Sequence, residues 1–464
     1  MPTRKYTYYD FTLSLCPICL KRIDAKIIFE NENVYMLKTC KTHGKFKVII
    51  ADDIDYYKNI RNYNKPSETP YQFNTETHFG CPYDCGLCPD HEQHSCLTVV
   101  EITDRCNLSC PTCYAGSSPN YGRHRTLEEV KAMLDTIVAN EKEPDVVQIS
   151  GGEPTIHPEI FEILDYAKNL PIRHLMLNTN GIEIAKSLDF TKKLASYAPD
   201  FEVYLQFDSF RDDVLESMRG AHLANVRKQA LDHLNELNLS TTLVVTLQKN
   251  LNDDEIGKTI DYALKQKCVR GVTFQPTQIA GRLENFDASN HRITMTEVRR
   301  KILEQSSVFK SDDLIPVPCN PDALVMGYAL KLGEEVFPLT RYINPADLLD
   351  NSKNTIVYEQ DENLQKQMIE LFSTGNSVDD AQEKLHDILC CLPQVEAPGL
   401  SYNNLFRVVI MQFIDAYNFD VRAVKKSCVH IVDKNNKIIP FETMNLLYRD
   451  DKKHHLQKLQ SQAV

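Results

Sequence analysis

Between residues 97 and 276 the chain alternates short apolar runs with longer amphipathic stretches. LTVVEI (97–102), DVVQIS (145–150), HLMLNT (174–179), EVYLQF (202–207), TTLVVTL (241–247) and GVTFQP (271–276) are apolar or β-branched and bounded by turn formers. Runs of that length without strict alternation predict strands buried on both faces, as in a parallel sheet. The segments between them, such as 126–141, 157–170, 225–238 and 253–267, space their apolar residues as one face of a helix. Six β-α repeats with right-handed crossovers predict an α/β fold whose sheet curls into a partial (β/α)6 barrel.

The rhythm is lost on both sides, which predicts extensions. Residues 1–65 form a small polar N-terminal module, 66–96 a segment with little regular pattern, 97–315 the barrel and 316–464 a C-terminal domain. In the last of these, DENLQKQMIELF and LFRVVIMQFIDAY read as helical pieces. The run NNLFRVVIMQFIDAY (403–417) would suit a greasy channel, but a buried helix is the better expectation.

A formal net charge of −12 excludes a general nucleic-acid binder, which needs clustered Lys and Arg. No stretch approaches the roughly 18 apolar residues of a membrane span, and the first residues lack the apolar core of a signal peptide. The expected location is cytoplasmic. There thiols stay reduced, so the fifteen cysteines are not read as disulfide staples. Ten of them lie in the first 113 residues in short-spaced sets, the arrangement of metal ligands.

The first predicted strand is followed by TDRCNLSCPTCYAG, which places Cys106, Cys110 and Cys113 on one tight loop. Three thiolates there can hold three corners of a cubane and leave the fourth iron open, as substrate-binding metal chemistry requires. Parallel α/β barrels place their active sites at this strand end. The second strand ends in SGGEPTIHP, with Gly151, Gly152, Glu153 and Pro154. Two glycines let backbone approach a ligand closely, and a carboxylate can accept a hydrogen bond from an ammonium group. Alone, a GGEP turn is an ordinary strand-to-helix connection. Polar residues at later strand ends, Asn178, Asn180, Gln206, Asp208 and Gln275, suit a lined barrel mouth, or cap helices.

Other cysteines suggest further metals. Cys81, Cys85 and Cys88 repeat the same spacing, and Cys96 follows, so these four are expected to close an auxiliary cluster. His78, His91 or His94 could replace Cys96, and zinc is the alternative metal. Cys16, Cys19, Cys40 and His43 have zinc-ribbon spacing, with a single rubredoxin-like iron as the alternative. Cys319, Cys391 (or its neighbour Cys390) and Cys428 are either buried thiols or ligands of a further cluster gathered from separate segments. Cys268 reads as core.

These motifs resemble the radical S-adenosylmethionine (AdoMet) superfamily over about residues 97–280. The resemblance implies that Cys106, Cys110 and Cys113 bind a 4Fe–4S cluster whose free iron chelates AdoMet, with Gly151 to Glu153 at its methionine end. It implies cleavage of AdoMet to a 5′-deoxyadenosyl radical, a flavodoxin- or ferredoxin-like reductant, and roles at AdoMet or substrate for Asn178, Asn180, Gln206 and Gln275. Asp208 is the catalytic candidate. With the front Cys-x2-Cys, HFGCPYDCGLCPDH and the tail CVHIVDKNNKIIPFETMNLLYR, the whole chain is similar to a subgroup containing archaeal tetraether lipid synthase and the enzymes that methylate the pterin of tetrahydromethanopterin. That similarity implies methylation or carbon–carbon coupling at an unactivated carbon, with one or two auxiliary 4Fe–4S clusters, on a small-molecule or lipid substrate it does not identify. Peptide modification, dehydrogenation, and a non-enzymatic electron carrier or metal-dependent interaction protein are the rival readings. An open iron beside a GGEP turn counts against the last.

Overall fold

The computed structural model describes residues 4–65, 68–332, 335–341 and 404–463. The N-terminal module is a four-stranded antiparallel sheet of β1 (Thr7–Leu15), β2 (Arg22–Glu30), β3 (Asn33–Cys40) and β4 (Gly44–Ala51), in that order. Helix α1 (Ile54–Asn59) follows, capped by the Asp53 side chain on the Tyr56 N–H.

The main sheet begins at β5 (Leu97–Thr103), and a two-residue strand, β6 (Thr112–Cys113), lies on the loop beyond it. Helix α2 (Leu127–Glu141) opens on a capping box between Thr126 and Glu129. Then come β7 (Val146–Gly151), α3 (Ile160–Lys168), β8 (His174–Thr179), α4 (Ile182–Lys186), α5 (Leu188–Ala195) and β9 (Phe201–Gln206). The last repeats are α6 (Asp212–Arg219), α7 (Ala224–Leu237), β10 (Thr241–Leu247), α8 (Ile256–Leu264) and β11 (Val269–Pro276). Strands β5, β7, β8, β9, β10 and β11 pair in parallel in that order, as the six apolar runs predict.

The helices cover the outer face. α3, for example, buries Ile160, Ile163, Leu164 and Ala167, and each of the larger three contributes about 1.5–3 kcal/mol of burial. Cys268 is a fully buried member of this core. A second apolar cluster lines the inner face, including Leu97, Val99, Met176, Tyr204, Met411 and Phe441.

The C-terminal region extends the same sheet. After β12 (Arg282–Leu283) and β13 (Ile315–Pro316) come β14 (Leu324–Leu332), β15 (Glu335–Pro338), β16 (Leu405–Met411), β17 (Val429–Val432) and β18 (Ile438–Pro440). β16 pairs parallel with β11 at one edge, and β17 pairs parallel with β5 at the other. The expected helix in LFRVVIMQFIDAY is therefore corrected: its first seven residues are a strand. A run of seven residues, six of them buried, is too short for periodicity to separate strand from helix. Its polar break, Arg407, is tied to the buried Glu202 of β9 at 2.7 Å. DENLQKQMIELF lies outside the described residues. Among those described, no helix is long and apolar enough to cross a membrane.

Candidate active site and metal centres

The loop from β5 carries Cys106, Cys110 and Cys113 to one wall of a cavity of about 1340 Å³, its open mouth included. Backbone bonds fix the loop: Asp104 N–H donates to Arg123 O and Cys106 N–H to Ser118 O. Arg282 pins its far end, donating to Cys110 O at 2.6 Å and Ser117 O at 2.7 Å, while β12 pairs with β6 at Cys113. Burial, then the Glu153 charge, pushes the Cys106 thiol up to about 12. Burial also raises Cys110, against the opposing charge of Arg219. Such thiols ionise only when a metal displaces the proton. As a set the three sulfurs do not converge within 4.8 Å as single-ion ligands do. The donors and their spacing fit a 4Fe–4S cluster with one open iron.

The turn after β7 packs against this loop. A Cβ on Gly152 would sit 2.1 Å from Arg105 O, and one on Gly151 2.3 Å from Thr103 O. Both positions need glycine for backbone contact with the cluster loop, a cause the expectation of ligand approach did not include. Gly152 N–H donates to Thr103 O and Glu153 N–H to Arg105 O. Glu153 also lines the cavity, but its buried carboxylate accepts from Thr155 N–H at 3.0 Å, Thr179 Oγ1 at 2.8 Å and Asn180 N–H at 2.8 Å. Its pKa is raised by burial against those donors. Pro154 is the first residue of the short 3-10 turn behind it and does not line the cavity.

Asn178, Asn180, Gln206 and Gln275 all line the cavity. Asn180 also caps α4 through Ile182 N–H. Asp208 is placed otherwise. It has no exposed surface, and its carboxylate is bound by Arg219 through two bonds of 2.8 Å and approached by Arg227 at 3.4 Å. The expected catalytic role is corrected: Asp208 holds Arg219, and Arg219 is what lines the cavity. Arg219 and Arg282 carry no local motif, and pattern reading missed both.

The sequence profile of the radical SAM superfamily matches residues 100–263. The 7,8-dihydro-6-hydroxymethylpterin dimethyltransferase of Methanocaldococcus jannaschii is 30% identical, over 95% of this chain and 94% of its own length. The chain belongs to the radical SAM superfamily. A partial relative, the Fe-coproporphyrin III synthase of Methanosarcina barkeri, is 31% identical over 44% of this chain and 49% of that one. The structure of Streptococcus suis SuiB bound to S-adenosylmethionine superposes over 45% of this chain and 46% of that one, with a TM-score of 0.37 and 15% identity. The profile of an N-terminal zinc ribbon domain, named HMPTM, matches residues 8–52.

This radical SAM enzyme is thus an iron–sulfur, AdoMet-binding protein with further metal sites. In the ribbon, the ligand atoms of Cys16, Cys19, Cys40 and His43 all lie within 4.8 Å of one another. Cys19 and Cys40 sulfurs are 3.9 Å apart, and His43 Nδ1 is 3.5 Å from both Cys16 and Cys40. Four ligands set tetrahedrally about 2.0–2.3 Å from one zinc lie roughly 3.3–3.8 Å from each other. Cys81, Cys85 and Cys88 sit on a loop ordered by Asp84, which accepts from the backbone N–H groups of His78, Phe79 and Gly80.

Cys96 does not join them, which corrects the expected four-cysteine set. Its sulfur gathers with those of Cys319 and Cys428, all buried, and Cys319 and Cys428 are 3.3 Å apart. His94 Nε2 is 3.5 Å from the Cys96 sulfur. His91 bonds Ser427 O and His430, and His78 stands exposed beside Glu76. Three segments far apart in sequence make this thiol site. Leu97 and Val429, next to Cys96 and Cys428 in the chain, line the main cavity. Cys391 and Cys390 lie outside the described residues.

Proposed function

We propose that this radical SAM enzyme alkylates an unactivated carbon of a dihydropterin, of the kind named for its full-length relative. The reading is carried by the cavity, which puts Cys106, Cys110 and Cys113 on one wall and strand-end amides on the other. The same cavity carries an apolar wall of Leu97, Val99, Met411, Phe413, Val429 and Phe441 beside these polar groups, the composition of a small-molecule site. When bound, the reduced cluster supplies the electron that cleaves AdoMet to a 5′-deoxyadenosyl radical. Cys106, Cys110 and Cys113 hold it, and Gly151 to Glu153 line the methionine end of AdoMet. Asn180 and Gln206 orient the bound molecules, and the surrounding strands exclude water, which protects a reactive intermediate. Electrons come from a flavodoxin- or ferredoxin-like donor.

The test is anaerobic turnover of reconstituted protein with AdoMet, dithionite and 7,8-dihydro-6-hydroxymethylpterin. Expected are 5′-deoxyadenosine and a pterin heavier by one or more methyl groups, both lost when Cys106, Cys110 and Cys113 are replaced by Ala. Deoxyadenosine release with an unaltered pterin would overturn the substrate reading.

A further inference from the structure

The cavity has two kinds of wall. Around the three cysteines, Glu153 and Asn180 it is polar. On the inner side of the sheet it is lined by Leu97, Val99, Met411, Phe413, Val429 and Phe441. Phe413 and Phe441 stack with ring centroids 4.0 Å apart, and Tyr114 lies 4.9 Å from Phe441. Among the amides that reach this apolar side is Gln148. It lies midway along β7, in register with Val99 of β5 and Met176 of β8. It is 6% exposed, it lines the cavity, and its Nε2 has no hydrogen-bond partner.

The neighbouring amides differ. Asn178 donates to Ser150 Oγ at 3.0 Å, Gln206 donates to Asn178 Oδ1 at 3.0 Å, and Arg219 donates to Gln206 Oε1 at 3.3 Å. Gln275 donates to the Tyr204 hydroxyl at 3.1 Å. These side chains are locked by one another. Gln148 alone among these amides keeps its Nε2 group unspent, although a buried donor without an acceptor is costly. Pockets for small molecules have this composition: apolar walls and a few fixed polar groups that set orientation.

We propose that Gln148 is the residue that selects the substrate, donating from Nε2 to a carbonyl oxygen or ring nitrogen of a flat heterocycle that lies in the same cavity as the Phe413–Phe441 pair. The inference rests on the dihydropterin reading above and adds the residue that enforces it. Aromatic faces and a lone amide donor suit a flat ring with an acceptor edge. An alkyl chain would leave the donor unpaired, and a charged headgroup would find no counter-charge on the apolar wall. Sites built to hydrogen-bond a substrate group reject analogues lacking it far more strongly than apolar pockets reject a misfit.

The experiment is calorimetric titration of 7,8-dihydro-6-hydroxymethylpterin into the anaerobically reconstituted holoenzyme with AdoMet present. Gln148→Met keeps the length and removes the donor. Its dihydropterin affinity falls at least about tenfold, which is about 1.4 kcal/mol, while iron content and AdoMet affinity match the wild type. Gln148→Leu, which also lacks the donor, shows the same selective loss and decides the matter if the Met variant fails to load iron. Equal dihydropterin affinity in wild type and both variants overturns the role of Gln148 and leaves the substrate reading standing. No dihydropterin binding by wild type overturns the substrate reading itself. Binding of a long isoprenoid alcohol that tightens in Gln148→Met overturns both.

Discussion

Replacing Gly152 by Ala tests whether the turn after β7 bears on the cluster loop. The added Cβ meets Arg105 O at 2.1 Å, Arg105 C at 2.5 Å and Asp104 O at 3.1 Å, all backbone atoms with no rotamer to swing away. Ordinary contact lies near 3.5 Å, so the loop must retreat by about 1 Å or more. Forced overpacking of this kind costs about 1–3 kcal/mol. The retreating backbone leads directly into Cys106, whose own N–H is tied to Ser118 O. A 1 Å displacement of reacting groups can cost on the order of a hundredfold in rate. Expected are a lowered iron and sulfide content after anaerobic reconstitution, and 5′-deoxyadenosine formation about a hundredfold slower per intact cluster. Gly116→Ala is the control. It lies on the same loop at a positive φ of 66°, with nothing within 4 Å of the new Cβ. It pays only about 1–2 kcal/mol of backbone strain and keeps its iron. Gly152→Ala with full iron and wild-type cleavage would show that turn and loop do not touch in the way described.

Asp208→Asn removes the counter-charge of two buried guanidinium groups. It should destabilise the fold by about 3–5 kcal/mol in denaturant melts yet leave AdoMet cleavage in the folded fraction, and a folded, iron-loaded variant with no cleavage would restore a catalytic role. Cys96→Ala and Cys319→Ala should each remove the same metal, so the double variant loses no more than either alone, whereas adding Cys88→Ala deepens the loss; additive losses from the first pair would return Cys96 to the Cys81 set. Burial holds His91 near 4, below its ordinary 6.5. Above 6.5 both folded and unfolded states are neutral, and below it the unfolded chain takes the proton that the fold refuses. Stability should therefore fall as pH drops, by about 2 kcal/mol at pH 5 relative to pH 7, and His91→Gln should flatten that profile.

The parallel core was legible because six short, continuously apolar runs alternate with longer stretches of helical periodicity. The cluster loop and the GGEP turn were legible because their residues are adjacent in the chain. Neither advantage extends to β16, whose six apolar positions around Arg407 fit a strand or a buried helix equally well. Cys96 misled because proximity in sequence favoured Cys88, whereas the fold delivers Cys319 and Cys428 from β-rich segments that pattern could not place. Arg219 reads locally as an ordinary basic residue at a helix C-terminus before Gly220; only the pairing of β9 with β10 puts it beside Asp208 and Thr246. Gln148 did leave a trace, a lone amide between the buried Val147 and Ile149. One polar residue in a strand gains meaning only when its face is known.

The pairing of β17 with β5 has a consequence for biogenesis. The ribbon ligands and the Cys106 loop are each complete within a few dozen residues, so either can capture its metal while the ribosome is still at work. The third thiol site cannot. Cys319 and Cys428 are separated by 109 residues of chain, and the site closes only when β17 docks on a strand made more than three hundred residues earlier. Contacts of such long range form late. The third site is thus the last that the growing chain can complete, and a truncation that removes Cys428 would leave it with Cys96 and Cys319 alone.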